Sequence, residues 1–265
     1  MTIAVVGIGY GGDVTSEARA SLEAASVVIG HEDFIASVRH LVPDGAECYD
    51  AQTLTGADDN VFAARARSAL DRAQAGAQVV IVSGGDPGLL GMAGPLISEL
   101  SAAAEARNLP QVRVLPGLSA WQYASARLGA PFNGGICVIS LCLYSHTEEK
   151  IRRQVEGVAS AGLGVVAYML RHNGELKPER YPTDVPAAEL ARRRFVLLKD
   201  ALLRHRPADT PTYLFSGFGD ERGDKPEQAP LQNSLRLWEQ SDDESVFCVP
   251  GIDYVTAHGY IWEVT

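Results

Sequence analysis

Short β-branched runs alternate with helical segments in this chain, and the alternation constrains its fold more than any other feature. The runs are TIAVVGI (2–8), SVVIG (26–30), AQVVIVS (77–83) and VRVLP (112–116), with helical periodicity at 62–75 and 92–107. Strands that alternate with helices form βαβ units, and these units place their strands side by side and parallel. The sequence therefore predicts an α/β fold built on a parallel sheet.

The pattern restarts in the second half of the chain, after the segment LGAPFNGG (128–135). Further strands are predicted at 136–141, 163–170, 210–216, 244–249 and 259–264, and helices at about 147–160 and 187–204. The Pro, Gly and Asn residues of the restart segment are typical of a linker. We therefore predict two α/β domains, one over 1–131 and one over 132–265.

Composition excludes several classes of function. The formal net charge of −10 repels phosphate backbones, so nucleic acid is not expected as a partner. No apolar run is long enough to span a bilayer, and TIAVVGIG (2–9) lacks the basic flank of a signal peptide. The cysteines show neither a C-x-x-C pair nor metal-ligand spacing, so we expect no metal site and a reducing, cytoplasmic location; they are Cys48, Cys137, Cys142 and Cys248.

A first glycine-rich loop follows the first predicted strand. GIGYGG places Gly7, Gly9 and Gly12 in a G-x-G-x-x-G frame. Glu32 and Asp33 follow the second strand about twenty residues later, where a dinucleotide site holds its ribose. This loop alone is equally compatible with a nicotinamide-dependent oxidoreductase and with a tight turn that binds nothing.

Two more glycine-rich loops follow later strands. VSGGDPGLLGMAG (82–94) begins as a buried strand and breaks into glycines around Asp86, which could also serve only as a turn or capping residue. LPGLSAWQ (115–122) follows the next strand, and its Ser119 and Gln122 form a capping box that explains Ser119 without a ligand. Because ligands bind at the carboxyl ends of parallel strands, the three loops together predict a binding rim.

The order of these motifs resembles the tetrapyrrole (corrin and porphyrin) methylases, and within them the precorrin-3B C17-methyltransferases. The motifs are VVGIGYGG, GHEDFI, VSGGDPGLLGMAG and VLPGLSAWQYASARLGAPF, and weaker similarity returns at 202–211 and 253–260. The resemblance implies a homodimer of two-domain subunits that binds S-adenosylmethionine in the cleft between the domains and methylates a small-molecule acceptor. By position it implies these cofactor contacts: Tyr10, Gly84, Gly85, Asp86, Leu89, Leu90, Ser119, Ala120 and Met169.

Several stretches depart from the C17 pattern, and most of them fall on the side expected to face the acceptor. They are residues 140–148, 168–171 and 216–219, together with Tyr10-Gly11 in place of Pro-Gly. These stretches lose an acid and an asparagine and gain Tyr144, Met169 and Phe218. An aromatic, less carboxylated acceptor of specialised metabolism is therefore an alternative to a corrin precursor.

Methyl transfer from a sulfonium chiefly requires alignment of donor and nucleophile, and it needs a base only if the acceptor must lose a proton. The candidate catalytic side chains are His31, Tyr144 and His146. Ser145 and Glu148 form a predicted capping box, so Glu148 is interpreted as a helix-start residue. Arg171 follows a buried strand, where it could meet an acidic substrate or be merely solvated. A non-catalytic relative that binds the nucleoside is a further alternative.

Overall fold

The structure is a computed structural model. It describes residues 1–10, 12–54, 61–103, 109–143, 146–172, 185–218 and 225–264. The chain divides into two compact units, Met1–Ala120 and Trp121–Thr265. This division precedes the predicted boundary after residue 131.

The first unit is built on a five-stranded sheet in which all pairs are parallel. Its strands are β1 (Thr2–Gly7), β2 (Val27–Gly30), β3 (Glu47–Asp50), β4 (Val79–Ser83) and β5 (Gln111–Leu115), in the spatial order β3-β2-β4-β1-β5. The central strands β2 and β4 are buried along their whole length, which is why they read as continuous apolar runs. The predicted parallel sheet is confirmed.

Helices cover both faces of this sheet. They are α1 (Ser16–Glu23), α2 (Glu32–Val38), α3 (Val61–Gln74) and α4 (Ala93–Ala102). Alternate residues of β1 point to opposite faces, so Ala4 and Val6 pack in the core with α1 and α2, whereas Ile3 and Val5 pack with α3 and α4. The first unit is therefore a doubly wound α/β layer structure.

The second unit contains two sheets. The larger joins β7 (Ile136–Ser140), β8 (Gly164–Tyr168), β9 (Pro211–Phe215), β10 (Glu227–Pro230) and β11 (Val246–Val249) in the order β10-β9-β11-β8-β7. Only β7 and β8 pair in parallel there. The smaller sheet orders β12 (Tyr254–Ala257), β13 (Tyr260–Glu263) and β6 (Gly129–Ala130). Since β6 pairs with β13, part of the predicted linker is a strand of the second unit.

The helices of the second unit are α5 (Ala120–Leu128), α6 (Glu148–Ser160), α7 (Ala187–Leu203) and α8 (Leu235–Gln240). One face of α7 is apolar at i, i+3, i+4 and i+7 spacing and supplies Phe195 and Leu198 to the core of this unit. Arg194 lies in the same buried stripe and is 1% exposed. A buried charge is stable only with hydrogen-bond partners, and the partners of Arg194 lie at the edge of the sheet.

Candidate functional site

The three glycine-rich loops follow β4, β1 and β5, which are neighbours in the first sheet. Because these strands are parallel, their carboxyl ends lie at one edge, and the loops after them are brought together there. The Gly85 amide donates a hydrogen bond to the Gly9 carbonyl at 3.1 Å, so the first two loops are bonded directly. The predicted rim is therefore a contiguous surface of the first unit.

Two of the glycines are required because backbone packs against backbone at this edge. A Cβ on Gly7 would lie 2.5 Å from the Gly117 nitrogen, and one on Gly117 would lie 2.3 Å from the Gly85 oxygen. Real Cβ atoms do not approach backbone so closely. Gly7 and Gly117 thus have a structural reason to be glycine that involves no ligand, while Gly85 adopts a left-handed φ of +64°.

Asp86 links the second loop to the third. Its Oδ1 accepts a hydrogen bond from the Gly88 amide at 2.8 Å, and its Oδ2 accepts one from the Gly117 amide at 3.1 Å. Both carboxylate oxygens are therefore engaged by backbone donors. The carboxylate fixes the spacing of the two loops and places a negative charge at the rim.

Two of the residues implied as cofactor contacts have unusual backbone conformations. Leu90 and Met169 have φ values of 59° and 57°, and His258 is the third non-glycine residue with positive φ in the described ranges. Such conformations cost free energy in non-glycine residues and cluster at functional sites. Leu90 is 54% exposed in the first unit, and Met169 follows β8 in the second. Of the other implied contacts, Ser119 and Ala120 are buried, and Tyr10, Gly84 and Leu89 are half-buried.

An aromatic ring that the sequence analysis did not assign lies against the second loop. A Cβ on Gly84 would lie 2.7 Å from Cζ of Phe34, so the glycine leaves space for that ring. Phe34 is the fifth residue of GHEDFI (30–35), and it remains 37% exposed. The sequence could have indicated Phe34, because it lies three residues after His31, which is helical spacing. Both residues lie at the start of α2, next to the carboxyl end of β2.

His31 is the N-cap of α2. Its Nδ1 accepts a hydrogen bond from the Asp33 amide at 3.4 Å, and its Nε2 lies 2.8 Å from the side-chain amide nitrogen of Gln52. The ring centroid lies 5.7 Å from that of Phe34. These contacts hold the imidazole at the carboxyl edge of the first sheet and give it a structural role. A catalytic role for His31 stays a prediction.

In the second unit, the loop after β7 runs from Leu141 to the start of α6. Thr147 caps this helix, since its Oγ1 accepts a hydrogen bond from the Lys150 amide at 3.2 Å. The predicted capping box of Ser145 and Glu148 is therefore wrong, because Thr147, which directly precedes the helix, is the N-cap residue. Tyr144 and Ser145 lie outside the described residues. Burial, and then the positive charges of Lys150 and Arg194, lower the pKa of His146 below its ordinary value.

Arg194 reaches this loop from α7. Its Nε donates to the Glu148 carboxylate at 2.7 Å, Nη1 donates to the Leu141 and Cys142 carbonyls, and Nη2 donates to the His146 carbonyl at 2.8 Å. The sequence analysis missed Arg194. The sequence could have indicated Arg194, because it is a single arginine within the apolar stripe of α7.

Trp238 and Arg171 hold the neighbouring loop, which follows β8. The Trp238 indole N–H donates to the buried Leu170 carbonyl at 2.8 Å. The Arg171 guanidinium lies 3.8 Å from the Trp238 ring centroid and donates to the carbonyls of Glu239 and Ser241. Since these donors fasten the loop to α8, the prediction of a merely solvated cation is wrong. A contact between Arg171 and an acidic substrate stays a prediction.

Phe218 is not part of an exposed aromatic surface. It is 2% exposed, stacks on Phe215 with a centroid distance of 5.3 Å and contacts Tyr123 at 5.8 Å. The prediction that Phe218 would face an aromatic acceptor is wrong, because neighbouring rings already cover it. Among the described residues no group of three His, Cys, Asp or Glu could hold a metal ion. In that same part of the chain, every helix is too short or too polar to cross a bilayer.

Comparison with known sequences gives one family. The family model described as Tetrapyrrole (Corrin/Porphyrin) Methylases matches residues 2–225. A probable cobalt-factor III C(17)-methyltransferase of Salmonella typhimurium is 33% identical over 175 residues, which are 65% of this chain and 68% of that protein. A precorrin-3B C(17)-methyltransferase of a Sinorhizobium species is 31% identical over 63% of both chains.

Other relatives are longer than this chain. The cobalamin biosynthesis protein CobIJ of Mycobacterium tuberculosis is 34% identical over 169 residues, and the match spans only 31% of its length. Among solved structures, the methyltransferase CobJ matches with a TM-score of 0.79 at 23% identity, covering 99% of this chain and 98% of the other. CbiF, a cobalt precorrin-4 methyltransferase, matches with a TM-score of 0.62 at 15% identity. These two structures establish the likeness of fold.

Proposed function

The chain belongs to the tetrapyrrole (corrin/porphyrin) methylase family, and from this premise we propose that it transfers a methyl group from S-adenosylmethionine to a tetrapyrrole precursor of cobalamin, at carbon 17. The observation that carries the proposal is the rim of three bonded loops at the carboxyl ends of β4, β1 and β5. Its chemistry suits a cationic nucleoside better than a dinucleotide.

A dinucleotide requires free backbone N–H groups for its pyrophosphate. At this rim the amides of Ile8, Gly85 and Gly117 donate instead to Ser83, Gly9 and Asp86. The Asp86 carboxylate adds a negative charge, which repels a diphosphate and attracts a sulfonium. The alternative of a nicotinamide-dependent oxidoreductase therefore loses its main support, which was the G-x-G-x-x-G frame.

The residues at the rim fit an adenosyl group. The exposed apolar side chains of Leu90, Leu118 and Phe34 lie at the loops and offer an apolar surface for a purine ring. The glycines beside them allow a ligand to approach the backbone closely. Within the proposal, Tyr10, Gly84, Leu89, Ser119, Ala120 and Met169 are further cofactor contacts. When bound, S-adenosylmethionine supplies an electrophilic methyl group.

The chain contributes alignment and exclusion of water rather than covalent chemistry. The reaction breaks the methyl carbon–sulfur bond, with the electron pair left on sulfur, and forms a carbon–carbon bond from an electron pair of the acceptor. His146 is our first candidate to receive a proton that the acceptor loses, because its lowered pKa keeps the imidazole neutral at pH 7. Tyr144 and His31 stay candidates for the same role.

The names of the relatives favour a corrin precursor as the acceptor. Two relatives that match this chain are named for methylation at C(17) of precorrin-3B or of cobalt-factor III. The competing idea of an aromatic specialised metabolite depended on Tyr144, Met169 and Phe218, and the burial of Phe218 removes part of its basis. We therefore make the aromatic acceptor an outcome of the test.

The test has two arms. Calorimetry with S-adenosylhomocysteine and with NAD decides the cofactor, and we expect binding of the first alone. Incubation with methyl-labelled S-adenosylmethionine and either precorrin-3B or cobalt-factor III, followed by NMR of the product, decides the acceptor. Label at carbon 17 supports the proposal, and cofactor binding without turnover of either acceptor contradicts the acceptor part of it. Binding without turnover of any acceptor would support a non-catalytic relative.

We propose in addition that the chain forms a homodimer and acts in the cytoplasm, as the resemblance to this family implies. Light scattering tests the assembly directly. A single-subunit mass at the concentration used for turnover would contradict the dimer, and fractionation of the source cells tests the location.

A further inference from the structure

Arg194 makes more contacts than the packing of α7 requires. Its guanidinium donates to the carbonyls of Leu141, Cys142 and His146 and to the Glu148 carboxylate, and these four partners belong to the segment between β7 and the first turn of α6. The side chain is 1% exposed, whereas the Glu148 side chain is 47% exposed. A buried arginine therefore holds one loop through its guanidinium donors, and we call the described residues of this loop, 141–143 and 146–148, the β7–α6 loop.

Stability alone is a poor explanation for this charge. The remainder of the buried face of α7 is apolar, and an apolar side chain of similar volume in such a position is often neutral or stabilising, because a buried cation must be desolvated. What an apolar residue cannot do is turn several carbonyl groups of one loop towards a single point. Arg194 thus determines the shape of the loop as well as filling space.

The β7–α6 loop lies at an edge where a ligand of an α/β sheet is expected. The strands β7 and β8 are adjacent and parallel, and the Leu141 amide donates to the Tyr168 carbonyl at 2.9 Å, which ties the ends of both strands together. The loop carries His146, and the next loop along the edge carries the strained Met169. Two chemically different side chains are therefore presented at the carboxyl edge of this pair.

We propose that Arg194 is a positioning residue that holds the β7–α6 loop, with His146 on it, in the arrangement that receives the methyl acceptor. This inference rests on the proposed methyltransferase function. Arg194 acts through the loop and does not itself touch the reacting atoms, so its loss should affect the acceptor step and leave cofactor binding intact.

Two replacements and one matched control test the proposal in the full-length protein. Arg194→Met keeps length and removes the donors, Arg194→Lys keeps the charge but loses the fork, and Arg193→Met makes the same change at the neighbouring, exposed arginine that pairs with Glu189. Small displacements of reacting groups cost about 100-fold in rate. We expect kcat to fall by about 100-fold for Met and about 10-fold for Lys, with the affinity for S-adenosylhomocysteine within about twofold of wild type.

The control Arg193→Met should match wild type in both measurements. Wild-type kcat in folded Arg194→Met would overturn the proposal. So would an equal loss of cofactor affinity and kcat in Arg194→Lys, since that result would indicate a general structural defect. If Arg194→Met fails to fold, the lysine variant alone decides between these results.

A second readout needs no acceptor and separates this proposal from the function on which it rests. NMR titration of the His146 imidazole in Arg194→Lys, which keeps the positive charge, should show its pKa rising towards the ordinary value, because the loop loses its hydrogen bonds and becomes more hydrated. Glu148, Glu149 and Lys150 are the other charged residues of this segment, and all three are unchanged in the variant. An unchanged His146 titration overturns the positioning role, even if wild-type protein methylates neither acceptor. A shifted titration in protein that turns over neither acceptor would leave Arg194 as the organiser of the loop and reject the methylation of those acceptors.

Discussion

In the first unit, the loops after β4, β1 and β5 contact one another through bare backbone, whereas in the second unit large side chains hold the loops after β7 and β8. Gly7 and Gly117 leave no room for a Cβ between the first set of loops, and Gly85 adopts a left-handed φ that favours glycine. Arg194 and Trp238 hold the second set through hydrogen bonds to loop carbonyls.

The difference shows two ways to fix the shape of a binding edge. Contact between backbones admits no larger residue at the contact itself, so the spacing of these loops depends on a few glycines. Apart from the Glu148 carboxylate, the side-chain clamps bond carbonyl groups, which every residue type carries, so other loop side chains can change while the clamps persist. The clamp by Arg194 is therefore compatible with the departures from the family pattern at Cys142, Leu143 and His146.

The sharpest test of the first arrangement is Gly117→Ala. The new Cβ would lie 2.3 Å from the Gly85 oxygen, a backbone atom that cannot rotate away, so we expect a loss of about 3 kcal/mol in unfolding free energy. Gly94→Ala is the matched control, since nothing lies within 4 Å of its added Cβ and alanine favours the helix. Urea denaturation of both variants provides the measurement, and equal stability of the two would contradict the backbone contact.

Trp238→Phe tests the second arrangement. The change keeps an aromatic ring but leaves the buried Leu170 carbonyl without its indole donor, and we expect a loss of about 2 kcal/mol. Trp262→Phe, at a half-buried indole on β13, serves as the control for the size of the ring. If the two variants are equally stable in denaturant, Trp238 contributes only bulk at this loop.

Asp86→Asn should have a smaller effect. The amide of asparagine has one acceptor oxygen, so either the Gly88 or the Gly117 amide loses its partner, and we expect a loss of about 1 kcal/mol. The variant also removes the negative charge from the rim. We therefore expect the variant to lose more affinity for S-adenosylmethionine than for S-adenosylhomocysteine, which lacks the sulfonium charge, as measured by calorimetry. An equal change in both affinities would refute a direct role for the charge.

The smallest expected effect is the pH dependence due to His146. Because the folded state lowers the pKa of this imidazole, the unfolded chain binds more protons below pH about 6.5, and stability falls as the pH falls through the folded value. His146→Gln should reduce the change in unfolding free energy between about pH 7.5 and 5.5. The exposed His40 is the control site, and His40→Gln should keep the wild-type change. Identical pH profiles for both variants would disprove the assignment.

The sequence predicted the first unit well because its signals are local. Continuous apolar runs identify buried parallel strands, and glycines that directly follow them identify the loops. The second unit was harder, since the partners of Arg194 lie about fifty positions earlier in the chain. Likewise, only the structure shows that Phe215 and Tyr123 cover Phe218, and that three of the four pairs in the larger sheet are antiparallel.

The strand order of the first sheet has a consequence for folding during translation. Ile3 of β1 pairs with Val79 on one side and with Val112 on the other, so β1 lacks both of its neighbours in the sheet until β4 and β5, which follow it in the chain, have been translated. At about 5–20 residues per second, this apolar strand waits several seconds on the ribosome. Since pairing between such distant segments is also slow, the nascent chain is exposed to aggregation during that interval. Codon changes that delay translation between β1 and β4 should therefore lower the soluble yield more than equal delays after β5.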